Sequence, residues 1–120
     1  MNVRRISLIT ALFWALSTAP AQAYPAQVER WRPIVHAELR RQRVHSDYIE
    51  AKILKLINGE STGNPRAGHV HGCYGLLQFN QGWVHGKDWR GDGRASIRVI
   101  VTLYRKHGVA PLRKHWKATW

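Results

Sequence analysis

Between Ser61 and Gly93 the chain carries eight glycines, at positions 63, 68, 72, 75, 82, 86, 91 and 93, together with Pro65. Glycine weakens the interior of helices and strands, and proline removes a backbone donor. The stretch therefore reads as loops, with one short hairpin around Tyr74–Phe79. A fold built on such a chain must draw its core from the segments on either side and wrap the loops around it, which is how a cleft is lined.

Both flanks read as helices. From Pro25 to Val44 the apolar residues Val28, Trp31, Val35 and Leu39 recur at spacings of three and four, predicting one amphipathic helix with a kink at Pro33. Ser46 is placed as the N-cap of a second helix, with Asp47 and Glu50 in its first turn and Ile49, Ile53, Leu56 and Ile57 as its apolar stripe. That pattern runs out near Gly59, so Glu60 falls at the C-terminal end. There the helix dipole disfavours a negative charge, as a general acid requires. Helical spacing returns from Arg94 to His107 through Ile97, Ile100, Val101, Leu103 and Tyr104, with Gly108 as the stop. The remainder is a tail rich in Lys, Arg and Trp. These signals predict a mainly α domain, small α+β at most.

The first 23 residues have the three parts of a secretory signal. Met1–Arg5 is a basic head, Ile6–Leu16 an apolar run too short to span a bilayer, and Ala21-Gln22-Ala23 a small-x-small cleavage site. Export to the periplasm, or to the extracellular space or cell wall, is expected, with the mature chain starting at Tyr24. The 97 residues left suffice for one domain and not for two. They hold 17 Lys and Arg against 7 acids, a charge of +10. A field of that sign favours polyanions, and export leaves the anionic polymers of a cell wall ahead of nucleic acid. No stable membrane span is expected, and the protein is expected to be a monomer.

Cys73 is the only cysteine, so no intrachain disulfide and no thiolate metal cluster can form, and it reads as a small buried core residue. His69, His71 and His85 have no acid or Cys at metal-ligand spacing to complete a set. Neither a metal nor another cofactor is expected.

The informative stretch is Glu60-Ser61-Thr62-Gly63-Asn64-Pro65-Arg66-Ala67, followed by Gly72-Cys73-Tyr74-Gly75-Leu76-Leu77-Gln78. It resembles the soluble lytic transglycosylase domain of the lysozyme-like superfamily, whose signature runs Glu-Ser, Asn-Pro-x-Ala, then Gly-Ala-x-Gly-Leu-Met-Gln. The spacing agrees without a gap; Cys73 stands for Ala and Leu77 for Met, both swaps that a core tolerates by volume. The family's Ala-Tyr-Asn-x-Gly segment has no counterpart here, and Tyr74 and Tyr104 are the tyrosines available for its role.

The resemblance implies a lysozyme-like fold and cleavage of peptidoglycan glycan strands at the bond between N-acetylmuramic acid and N-acetylglucosamine. It implies Glu60 as the single catalytic acid/base, with Ser61 orienting it and Tyr74 and Gln78 binding substrate. The acids agree with a one-carboxyl mechanism: Glu29, Glu38, Asp47 and Glu50 read as helix-surface charges, and Asp88 and Asp92 as turn or cap residues. Each substrate-binding assignment has a simpler rival. Ser61 can bond its own helix backbone, Tyr74 can line the core, and Trp83, Trp89, Trp116 and Trp120 more often fill a core than stack on sugars in so small a domain. Two other functions remain open: a hydrolytic muramidase, and a non-catalytic cationic wall-binding or antimicrobial protein on a degenerate form of the same fold.

Overall fold

The computed structural model describes residues 24–68, 72–80 and 91–120. The expected signal segment, and with it the cleavage site after Ala23, lies outside them, as do His69, His71, Trp83, His85, Asp88 and Trp89. The described chain is mainly helical: α1 (Ala26–Glu29), α2 (Arg32–Arg41), α3 (Asp47–Ser61), the strands β1 (Cys73–Tyr74) and β2 (Phe79–Asn80), α4 (Gly93–His107) and α5 (Ala110–His115). No described helix is long and apolar enough to cross a membrane.

The predicted first helix is in fact two. The chain breaks at Arg30–Trp31 and restarts with Pro33 in the first turn of α2, the one place in a helix where a missing N–H and a fixed φ cost nothing. The break is pinned from outside, because Trp31 Nε1 donates to the Gly63 carbonyl at 3.0 Å and Arg30 Nη2 to the same oxygen at 3.3 Å. Gly63 has φ 84°, and a Cβ there would run into the Gln27 backbone. Only glycine lets the end of α3 come this close to α1.

α3 forms where its signals place it. The Ser46 hydroxyl accepts from Ile49 N at 3.2 Å, satisfying one of the free N–H groups of the first turn. Ile49, Ile53, Leu56 and Ile57 are fully buried with Leu54. The helix continues two residues past Gly59, and the chain leaves it through Thr62 in the left-handed region (φ 52°). In α4, Asp92 is the N-cap, accepting from Ala95 N at 2.9 Å, and Gly108 is the stop.

The hairpin falls at the predicted place, with Cys73 opposite Asn80 and Tyr74 opposite Phe79 in an antiparallel pair. Its connecting residues, Leu76 and Leu77, are buried. α5 has no counterpart in the sequence reading. It is a six-residue helix whose Leu112, together with Trp116 one turn later, enters the core, and two apolar residues are too few to register as a periodicity. One core results, from Val28, Trp31, Val35 and Leu39, the α3 stripe, Leu76, Leu77 and Phe79, Ile97, Ile100 and Val101, and Leu112 and Trp116. Trp116 Nε1 donates to the Leu77 carbonyl at 2.7 Å, so the tail is locked onto the hairpin.

Candidate active site

Glu60 occupies the penultimate position of α3 and is half-buried. The segment following α5 crosses this helix end. Thr119 Oγ1 donates to Glu60 Oε1 at 2.6 Å, and Thr119 Cγ2 lies so close to Gly59 that a methyl group there would collide with it. The hydroxyl holds one carboxyl oxygen, and Oε2 has no hydrogen-bond partner among the described residues.

Two other groups feel the charge on Glu60. The Cys73 thiol of β1 is pushed up from its ordinary range, by burial first and by the Glu60 carboxylate second. Cys73 was expected in the core but is only half-buried. His115, the last residue of α5, has its imidazole pushed below the ordinary histidine range by burial. A hydrogen bond to the Gln78 backbone and the nearby Glu60 charge oppose that shift without overcoming it. The ring stacks on Phe79 at 6.3 Å between centroids and meets Trp116 edge-on at 4.6 Å.

Of the residues picked from the sequence, Ser61 takes the simpler of its two roles. Its hydroxyl donates to the Ile57 carbonyl one turn back, at 3.2 Å, rather than to Glu60. Gln78 is 5% exposed and has a left-handed backbone (φ 51°). Its Nε2 donates to the Gly75 carbonyl at 2.9 Å and the Ala67 carbonyl at 3.1 Å, so both amide protons serve the loop. Its Oε1 is buried without a hydrogen-bond partner among the described residues. Gly75 N also donates to Ala67 O, at 2.9 Å, and Arg66 N to Asn64 Oδ1 at 2.9 Å. Much of the motif after Glu60 thus ties the loop to itself. Tyr74 is half-buried on β1. Trp116 is core, and Trp120 packs against the core with Lys52 Nζ 5.1 Å from its ring.

The structure adds Thr119 and His115 to the site. Neither carries a local signal; 59 positions separate Thr119 from the carboxylate it contacts.

The other described acidic side chains have partners or helix-start positions of their own. Glu29 is bonded to Arg32, Glu38 to Arg41 and Glu50 to His36. Asp92 caps α4, and Asp47 starts α3, about 20 Å of helix away from Glu60. No group of three or more His, Cys, Asp or Glu suited to a metal occurs among the described residues. Comparison of the chain with protein-family profiles, with curated proteins and with solved structures found no match.

Proposed function

We propose that this chain is a peptidoglycan lytic transglycosylase with Glu60 as its single acid/base. The reading is carried by one observation: a half-buried carboxyl at the end of α3, held through one oxygen by Thr119, at the position that the motif resemblance assigns to the catalytic acid.

In that mechanism protonated Glu60 gives its proton from Oε2 to the bridging oxygen as the bond to C1 of N-acetylmuramic acid breaks, releasing N-acetylglucosamine with a free 4-hydroxyl. The carbonyl oxygen of the substrate's own acetamido group bonds to C1 and takes up the positive charge. The Glu60 carboxylate then removes the proton from the C6 hydroxyl of the same sugar, whose oxygen displaces the acetamido oxygen. The product is an anhydro sugar, the enzyme is regenerated and no water is consumed. Thr119 keeps the carboxyl plane fixed through both proton transfers. Gln78, whose buried amide holds the carbonyls of Gly75 and Ala67, braces the loop rather than meeting the sugar, and Tyr74 forms part of the cleft wall. The proposed substrate is reached after export, in the periplasm or cell wall.

Digestion of purified sacculi followed by mass spectrometry tests the reading. Muropeptides ending in the anhydro sugar, lighter by one water than hydrolytic products, are expected. Fully hydrated ends would replace it with a hydrolytic muramidase. Intact sacculi that still sediment with bound protein would replace it with a non-catalytic wall-binding protein.

A further inference from the structure

A cleft lies where the C-terminal end of α2 meets α4. It has a volume of about 340 Å³ and is lined by Arg41, Gln42, Arg43, Arg98, Thr102 and Arg105. Two basic runs that the sequence separates by more than fifty positions are thus brought to one concavity.

The cleft is built, not a chance overlap of surface chains. Gln42 Oε1 accepts from Arg105 Nε at 3.1 Å. Its Nε2 donates to Glu38 Oε1 at 2.8 Å and lies 3.0 Å from Thr102 Oγ1, and the Thr102 hydroxyl donates to the Arg98 carbonyl at 2.8 Å. One amide therefore ties the end of α2 to α4 and aims Arg105. Glu38, the one acid bonded to these residues among the described ones, is engaged by the guanidinium of Arg41 through two bonds. Arg43 sits at φ 60°, in the left-handed position where helices usually end on glycine or asparagine. It closes α2 with two bonds, Val44 N to Leu39 O at 2.8 Å and Arg43 N to Arg40 O at 3.0 Å. The guanidinium groups of Arg43 and Arg98 and the terminal nitrogens of Arg105 make no hydrogen bond among the described residues.

Four guanidinium groups against one carboxylate leave the cleft strongly positive, and the unused donors are planar forks on three different positions. A flat carboxylate satisfies one such fork. A tetrahedral oxyanion presents acceptors in several directions and can take bonds from more than one. We propose that this cleft binds the phosphate groups of an anionic partner. It shares no residue with the Glu60 site, so it stands whether or not the chain cleaves glycan. The same chemistry is offered by a soluble phosphate polymer and by phospholipid headgroups on a membrane surface, and the experiment separates them.

Calorimetric titration of the full chain with sodium tripolyphosphate at low ionic strength tests the site. Saturable binding is expected, weakened at least about tenfold in Arg98→Ala/Arg105→Ala. Arg113→Ala/Lys114→Ala on α5 removes equal charge elsewhere and should stay within about twofold of the parent. Arg43→Ala, which breaks no hydrogen bond of the network, should weaken binding without lowering the thermal midpoint. Arg98→Lys keeps the charge and loses the fork, and should also weaken it. Equal losses in the two double variants, an Arg98→Lys variant that binds like the parent, or no binding at all would overturn the proposal. Sedimentation with phosphatidylglycerol vesicles, set against phosphatidylcholine vesicles, reads the source. Vesicle binding that disappears in Arg98→Ala/Arg105→Ala and is displaced by tripolyphosphate assigns the site to lipid headgroups. Tripolyphosphate binding without vesicle binding assigns it to a soluble polymer.

Discussion

The hydroxyl of Thr119 donates to Glu60 Oε1 at 2.6 Å, joining the carboxyl at the end of α3 to a segment 59 positions later. The bond fixes one oxygen, and the other has no hydrogen-bond partner among the described residues. Thr119 is thus a positioning residue for the proposed chemistry.

Thr119→Val keeps the shape and removes the donor. A hydrogen bond to a charged group is worth about 1.5–3 kcal/mol, so kcat for sacculus digestion should fall about tenfold or more while KM changes little. Thr119→Ser should restore most of the rate. A valine variant as fast as the parent would show that the hydroxyl has no part in positioning.

Glu60→Gln removes the transferable proton and keeps the size of the side chain. General acid/base catalysis is worth roughly 10²- to 10⁴-fold, so glycan cleavage should fall by at least about a hundredfold. The thermal midpoint and the binding of intact sacculi should stay close to the parent's. Activity within about threefold of the parent would remove Glu60 from the catalytic role.

Gly63→Ala should destabilise the fold more than a glycine substitution on an open surface. The residue adopts φ 84°, its Cβ would meet the Gln27 backbone, and its carbonyl receives both Trp31 and Arg30. Left-handed strain costs about 1–2 kcal/mol and overpacking about 1–3 kcal/mol. Chemical denaturation should read a loss of about 2–5 kcal/mol.

His115 makes stability depend on pH in a definite direction. Its folded-state pKa is lowered, chiefly by burial, so between the folded and unfolded values the unfolded chain binds more protons. Stability from this residue is then fully present above the unfolded value and is lost as pH falls through the folded one. The thermal midpoint of the parent should drop more steeply on acidification from neutral pH than that of His115→Gln. Parallel curves for the two proteins would remove His115 as the cause.

Several features were legible because their causes are local. The Ser46 hydroxyl reaches a backbone N–H three residues on, and the α3 stripe repeats within the same helix. The turn from Tyr74 to Phe79 pairs with itself. Where a local rule competes with a distant contact, the sequence reading loses precision. Pro33 signals a disturbance, yet the break falls at Arg30–Trp31, where two side chains reach the carbonyl of Gly63. Cys73 has the size and polarity of a core residue, but its burial depends on what covers a two-residue strand.

The sequence by itself determined the mainly helical class, the N-cap of α3, the stop of α4 and the placing of Glu60 at a helix end, since each depends on residues a turn or less apart. Tertiary structure decided what surrounds that carboxyl. Leu112 and Trp116 drop into the core and Trp116 bonds to Leu77, which carries His115 over Phe79 and Thr119 onto Glu60. It also decided that Arg41 and Arg43 share a cleft with Arg98 and Arg105, because Gln42 bridges α2 to α4. Such neighbours are chosen by the packing of one core, where apolar burial fixes which surfaces meet, and no spacing along the chain records that choice.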